Sequence, residues 1–456
     1  MKKQFIRWRG LFVSSIFILV DALGLYFIFR VSFFIRQTLT PLFDRKAIWT
    51  ATEPLMQLGI LLSIGVFFIQ GLYPGYGLTA VKELERIGRS VSLTFFLLAG
   101  VSYLNKPFQN FSRSTLLFGW VLAMILFPLS HFILRNIISR YSWYGTAVVV
   151  FGEGKDAQKI VASLKRVRRL GWRPAAILPI NAITYDRVKL IEPHVAIISP
   201  PANTPIESYA HILNQHFRKV ILIQPTGNFG SAWVEPRDLD GQLGLEFHYH
   251  LFDHYARLLK RLVDFLGSLV LGAIMSPLFA ILSLMVALDS PGPVFFYQQR
   301  LGRNLARFNV IKFRTMVLDA EQRLAELLQN DPSTRAEYET FHKLSDDPRI
   351  TRVGKWLRRF SLDELPQLWN VLVGEMSLVG PRAYMPSELD DIGDYAPILL
   401  RVNPGVTGWW QIFGRHNTTF QKRLQMDEYY ISNWSLWMDL YILLKTVWIV
   451  FKGQGA

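Results

Sequence analysis

The chain contains no cysteine. That absence excludes disulfides, a thiolate nucleophile and every cysteine metal site, and it leaves the redox compartment open. Acid is also scarce. Against 50 Lys and Arg stand 35 Asp and Glu, so the formal net charge is +15 and the pI about 9.8. A surplus of that sign suits an anionic membrane surface or phosphate-bearing ligands, with nucleic acid as the competing partner. No small-residue cleavage site closes the first apolar run, and no solenoid-type repeat is present.

What the chain has in excess is apolar surface. Half of its 456 residues are hydrophobic and its mean hydropathy is +0.21, which suits a protein divided between bilayer and water. A basic N-terminus runs into an apolar stretch over 11–34, read as an uncleaved membrane helix. Further runs cover 54–73, 91–105 and 115–134, the third short enough to need its flanks. Lys2, Lys3, Arg7 and Arg9 precede the first run, and Lys82, Arg86 and Arg89 separate the second from the third. They outweigh Arg36, Arg45, Lys46, Lys106 and Arg113 in the other loops. The bias puts the N-terminus in the cytoplasm, and four spans return the chain there. Residues 1–140 are thus expected to form four transmembrane helices.

Residues 141–250 read as a Rossmann-like α/β module. "GTAVVVFGEGKDAQKIVASLKRV" is a strand, a glycine turn and a helix, and "AAILPI", "VAIISP" and "KVILIQP" read as buried parallel strands. The turn Gly152-x-Gly154-x-x-Ala157 resembles a dinucleotide fingerprint, but no acid closes the second strand where a ribose would be held. A structural or regulatory module outweighs NAD binding. "GLEFHYHL" alternates as a strand and puts Glu246, His248 and His250 on one face, which a solvated edge explains more simply than a metal.

Residues 251–456 form the last domain. Lys260-Arg261 leads into an apolar helix over 262–288 with Ser276-Pro277 near its middle. A fifth span would export the basic residues that follow, so a re-entrant hairpin breaking at Ser276 and Pro277 is expected, with Lys260 and Arg261 near lipid phosphates. The Trp-rich stretch 434–453, interrupted by Asp439 and Lys445, reads as an interfacial helix. The overall class is membrane α plus α/β.

Four clusters in this domain could carry chemistry. "IKFRTM" places Lys312 and Arg314 two apart. "LRRFSLDELPQLWN" holds Arg358, Arg359 and the adjacent acids Asp363 and Glu364. "GPRAYMP" carries Arg382, and "RVNPGVTGWWQIFGR" carries Arg401 and Arg415. Read alone, Ser361-x-x-Glu364 is a capping box that starts a helix. Its helix terminus would keep Asp363 ionised. Two carboxylates among cations also suit phosphoryl chemistry, as Mg²⁺ ligands or as a nucleophile with arginines on the phosphate oxygens.

Together "IKFRTM", "SLDELPQLWNVLVGEMSLVGPR", "NPGVTGWWQIFGR" and the Ser276-Pro277 helix resemble the polyprenyl-phosphate hexose-1-phosphate transferases. These are the bacterial sugar transferases, or monotopic phosphoglycosyl transferases. The motifs run over about 255–455, and the architecture upstream resembles the family's large form. The resemblance implies that Asp363 attacks the sugar-bearing phosphate of a UDP-sugar, releasing UMP. Undecaprenyl phosphate then takes the phosphosugar, with Glu364 and Mg²⁺ assisting. It further implies phosphate contacts from Lys312, Arg314 and Arg382, support of the dyad by Arg358 or Arg359, and a role for Asp427. It implies a homodimer in the bacterial inner membrane with its site on the cytoplasmic face, serving O-antigen, capsule or exopolysaccharide assembly from galactose or glucose. Where the family has Pro-Arg-Pro this chain has Pro381-Arg382-Ala383, which leaves the turn's rigidity open. A glycolipid transporter or a nucleotide-sensing regulatory protein are the alternatives, and neither uses the dyad.

Overall fold

The computed structural model describes residues 2–42, 48–104, 112–180, 183, 195–199, 213, 217, 219–223, 234–239, 242–247, 250–330, 347–414 and 418–453. The chain packs as two compact units, Met1–Gly227 and Asn228–Ala456.

The first unit begins with four long helices: α1 (Lys2–Thr38), α2 (Trp49–Ile69), α3 (Ala80–Leu104) and α4 (Arg113–Ile138). Val13, Phe17, Leu25 and Phe29 of α1 keep a spacing of four or eight. They share one core with Leu55, Phe67, Phe95, Leu98, Ala123 and Phe127. The opposite faces stay apolar yet exposed, with Leu23, Phe27, Phe96 and Ile125 pointing outward. Helices that are apolar all round suit a lipid surround. These four, and one helix of the second unit, are long and apolar enough to cross a membrane. The short third run does recruit its N-terminal flank, since α3 starts at Ala80.

A parallel sheet follows, formed by β1 (Thr146–Gly152), β2 (Trp172–Leu178), β3 (Val195–Ser199) and β4 (Lys219–Leu222) in the order β2-β1-β3-β4. Val148 and Val150 pack on Ala157 and Leu164 of α5 (Gly154–Arg166), while Val149 and Phe151 meet Ala196 and Ile198 on the other face. Burial on both faces is why β1 reads as an unbroken apolar run. Glu83 ties this sheet to the helices. It accepts from Arg135 Nε at 2.7 Å and from Arg169 Nη2 at 2.6 Å, just ahead of β2.

The second unit opens with an antiparallel hairpin, β5 (Val234–Leu239) and β6 (Gln242–Phe247). Here the sequence expectation is corrected. Glu246 lies in β6 and His250 in a separate helical turn, so these two share no strand face. His248 lies outside the described residues, and among those described no three acidic or histidine side chains converge on a metal site.

Helix α6 (His254–Asp289) is the unit's spine. It does not end at Ser276-Pro277. Proline cannot donate to the carbonyl of Ala273 four residues back, and Ser276 Oγ donates to that carbonyl instead, at 2.8 Å. Helical geometry therefore runs through the expected break. Both flanks of α6 are anchored in the same unit. On the N-terminal side Lys260 pairs with Asp439 at 2.7 Å, and Asp264 accepts from Ser377 Oγ and Leu378 N. On the C-terminal side Leu282 and Val286 join the core of Phe313 and Leu357. Between them Leu269, Val270 and Ile274 are exposed.

Lys260 and Arg261 are corrected too. Lys260 is buried in its ion pair, and Arg261 spends both terminal nitrogens on the carbonyls of Val371 and Leu372, so neither is set out for lipid phosphate. Asp439 also accepts from Tyr430 OH and Trp434 Nε1, which docks the C-terminal helix Leu436–Phe451 through a buried polar group. Removing one member of a buried pair strands the other. Lys260→Met is expected to cost about 3 kcal/mol, seen as a lowered Tm in detergent. Asp439→Leu added to it should cost less than the two single losses summed. Strict additivity would show that the two charges do not act as a pair.

Candidate active site

The site is assembled by two strands and two short helices. β7 (Phe295–Leu301) and β8 (Arg307–Phe313) pair antiparallel, with Lys312 opposite Phe296. Beyond β8 the chain reaches Thr315, whose backbone carbonyl accepts from Thr351 N at 3.0 Å. Thr351 caps helix Arg352–Arg359 by accepting from Gly354 N. A Cβ on Gly354 would collide with the Thr315 carbonyl, so only glycine lets this helix close so tightly. The closure brings Arg358 Nε within 2.9 Å of Thr315 Oγ1.

The chain then turns through Ser361 at φ +52° into a single 3-10 turn, Leu362–Glu364. The capping box expected from Ser361 and Glu364 is absent, because Ser361 makes no side-chain cap and the next helix starts only at Gln367, after Pro366. Leu362 and Leu365 pack against the core of Phe313 and Leu357, which leaves Asp363 and Glu364 facing the cations. Asn370, buried in that next helix, accepts from Ile311 N at 3.1 Å and donates to Asn309 O and Glu375 Oε2. It thereby locks β8 to the segment carrying the acids.

Lys312 Nζ meets Glu364 Oε1 at 2.7 Å, each side chain about a quarter exposed, at 25% and 29%. Burial pushes the Asp363 carboxyl above the ordinary range, and the adjacent Glu364 charge adds to it; Lys312 and Arg358 oppose both. The expectation that a helix terminus holds Asp363 ionised is thus corrected. No helix of useful length begins there, and the two cations carry that burden. A half-buried carboxylate that is more basic than usual, beside a lysine and an arginine, is equipped to attack an electrophile and to share a phosphate with the cations.

A second group lies around Arg382. Its backbone N donates to Asp427 Oδ2 at 3.0 Å, and Tyr384 OH donates to the same oxygen at 2.8 Å. On the other side Leu301 N donates to Tyr384 O, and Arg300 Nη1 donates to Ala383 O at 3.1 Å. Glu388 accepts from Met385 N and from Arg382 Nη2. Side chains and β7 therefore clamp the Pro381-Arg382-Ala383 turn that has only one proline. Arg300 joins the two groups. Burial and then the Arg382 charge lower its pKa, while Glu388 and Glu364 are close enough to raise it.

Of the residues singled out from sequence, Asp363, Glu364, Lys312 and Arg358 come together, and Arg382 and Asp427 meet beside them. Arg314 does not join. It lies beyond the end of β8, buried, with its terminal nitrogens on the carbonyls of Pro291 and Ser290 and on Ser290 Oγ. Arg359 is exposed over Phe360, and Arg401 stacks on Phe252 at 4.2 Å. Arg415 lies outside the described residues. Arg300, Glu388, Asn370 and Arg423 were not foreseen. Only Asn370 carried a signal, as a polar residue within the apolar run "LPQLWNVLV".

Mg²⁺ needs oxygen ligands, and the protein supplies two carboxylates here, one oxygen of which Lys312 occupies. That set fits Mg²⁺ only when phosphates and water complete its shell, as they do in phosphoryl-transfer sites.

A profile of the bacterial sugar transferase family matches residues 255–453. Over 423 residues, 87% of each chain, this protein is 30% identical to the UDP-galactose-lipid carrier transferase of Erwinia amylovora. It is 31% identical to the undecaprenyl-phosphate galactose phosphotransferase of Salmonella typhimurium, again over 87% of each chain. The undecaprenyl-phosphate glucose phosphotransferase of Komagataeibacter xylinus is 40% identical over 199 residues, 41% of this chain and 35% of that one.

Full burial pushes Asp427 up to about 7, against the help of its two hydrogen-bond donors and of Arg382 and Arg423. The folded pKa therefore lies above the unfolded one, near 3.9. The folded state holds an extra proton between the two values, so this stabilisation is complete below about pH 4 and is lost as pH rises through about 7. Asp427→Asn keeps an acceptor and removes the titration. The Tm of this variant relative to the parent is expected to rise between about pH 5 and about pH 8. A difference that stays flat would place Asp427 in the ordinary carboxylate range.

Proposed function

Because the chain belongs to the bacterial sugar transferases, sugar-phosphate transferases that act on undecaprenyl phosphate, we propose that it moves hexose-1-phosphate from a UDP-sugar to that lipid. The observation that carries the reading is the half-buried Asp363-Glu364 pair faced by Lys312 and Arg358. In the first step an Asp363 carboxylate oxygen attacks the sugar-bearing phosphorus. The bond from that phosphorus to the bridging oxygen breaks, and UMP leaves with the oxygen. In the second step an oxygen of undecaprenyl phosphate attacks the same phosphorus. The bond to Asp363 breaks, the carboxylate is regenerated and the diphosphate-linked sugar is released.

Lys312 and Arg358 balance charge on the transferring phosphoryl group, where positioning and electrostatics supply most of the catalysis. Lys312 also holds Glu364 at 2.7 Å, which orients the second carboxylate. Bound Mg²⁺ would supply charge neutralisation at the phosphates, with Asp363 and Glu364 as its protein ligands. UDP-galactose is the first donor to test, since two relatives matched over 87% of both chains are named for galactose, and UDP-glucose is the second.

The same reading places the site on the cytoplasmic face of the bacterial inner membrane. Helix α6 would enter and leave on that face by bending at Pro277, because both of its flanks are anchored in one unit and only its middle is exposed. A shallow wedge of this kind holds the site at headgroup level, within reach of a nucleotide in water and a phosphate on a lipid.

With Mg²⁺, a panel of UDP-sugars and undecaprenyl phosphate, the protein is expected to release UMP. Asp363→Asn should slow that release about a thousand-fold or more, as loss of a nucleophile does. Parent-like release from Asp363→Asn would remove Asp363 as the nucleophile. For topology, Tyr297→Cys and Lys355→Cys in this cysteine-free chain should react with an impermeant thiol reagent only from the cytoplasmic side. Labelling from the periplasm would rule out re-entry.

A further inference from the structure

Trp410 is the second residue of a short helix, Trp409–Phe413, and two arginines share its ring. The guanidinium carbon of Arg382 lies 5.8 Å from the ring centroid and that of Arg423 lies 5.2 Å from it. Cation–π contact favours each arginine singly, but two like charges on one indole repel. Arg423 registers the strain: burial first, then the Arg382 charge, lower its pKa. Arg382 has Glu388 Oε1 at 3.4 Å, whereas among the described residues no carboxylate reaches salt-bridge distance of Arg423.

Three buried polar atoms here lack a partner among the described residues, namely Trp410 Nε1, Arg423 Nε and Asp427 Oδ1. Asp427 is fully buried, and it feels both Arg382 and Arg423. A native fold pairs nearly all of its buried polar groups, so three bare ones around two crowded guanidiniums mark a place that a ligand completes. The two bare N–H donors and the excess positive charge ask for an anion. A phosphate monoester fits, because its several oxygens can engage two planar guanidinium forks and an indole N–H together. The bare Asp427 oxygen sits beside that position as an acceptor for a ligand or phosphate hydroxyl.

We propose that Arg382, Arg423 and Trp410 form a second anion subsite, next to the Asp363-Glu364 centre, that binds a phosphate monoester. Arg300, which reaches electrostatically to both Arg382 and Glu364, connects the two. In the reaction proposed above, on which the choice of ligand rests, two species carry such a group. One is the leaving UMP and the other is the polyprenyl phosphate acceptor. An in-line displacement at one phosphorus brings both to the side opposite Asp363, so one subsite can serve them in turn.

The test is equilibrium binding to the full-length protein in detergent, without turnover, using UMP in one arm and a short-chain polyprenyl phosphate in the other. Arg423→Gln is compared with the parent and with Arg323→Gln, which removes an exposed arginine elsewhere. Trp410→Phe, which keeps a ring and removes the Nε1 donor, guards against a folding defect in the first variant. Loss of a charge-assisted hydrogen bond is expected to weaken binding about ten-fold. A loss confined to UMP assigns the subsite to the donor, one confined to the lipid phosphate assigns it to the acceptor, and a loss of both shows shared use. Both variants binding both probes as tightly as the parent overturns the subsite. UMP binding by a parent that releases no UMP from any UDP-sugar would sink the transferase reading and leave the subsite standing.

Discussion

Two adjacent carboxylates can be set in a half-buried turn only if cations are set there with them. Burial and mutual repulsion both drive Asp363 toward its neutral form, and Lys312 and Arg358 are what oppose that drive. Much of the second unit serves to deliver these two charges. Asn370 fixes the strand that carries Lys312 against the segment that carries the acids. Gly354 lets the helix bearing Arg358 close on Thr315. The dyad is held by the fold around it, with no contribution from a cap of its own.

The membrane-facing part of the same unit obeys a related rule. The apolar helix α6 is exposed in the middle and pinned at its flanks, at one end through the buried pair Lys260–Asp439 and at the other through Leu282 and Val286. A charged anchor at the start of an apolar helix is costly unless it is matched, and here Asp439 and Asp264 both face Lys260. Residues that look like headgroup binders in sequence are instead joints between helices. The turn at Arg382 and helix α6 thus share one scaffold, because Asp264 also holds Ser377 and Leu378 in the strand that leads to Arg382.

The turn at Arg382 shows how a missing residue is compensated. A second proline would restrict the backbone at position 383. With Ala383 there, order comes from Asp427, Tyr384, Glu388 and Arg300, which clamp the turn from both sides. The same clamp crowds basic side chains, leaving Arg300, Arg382 and Arg423 with fewer acids than they need.

The one-dimensional pattern was enough for the apolar helices and the strand–glycine–helix start of the parallel sheet. Periodicity and local chemistry are written in neighbouring residues. It was misleading where the decisive partner is remote. Ser361-x-x-Glu364 has the spacing of a cap, yet Ser361 at φ +52° cannot make one. Arg314 shares a motif with Lys312, yet its guanidinium is captured by Ser290 and Pro291, over twenty residues earlier. Arg300 and Arg423 lie in unremarkable stretches and gain meaning only beside Arg382 and Trp410. The sequence by itself determined which residue types are present for phosphoryl chemistry at a membrane. Tertiary structure alone decided which cations face the acids, because charge and burial act through distances that the chain sets only once it has folded.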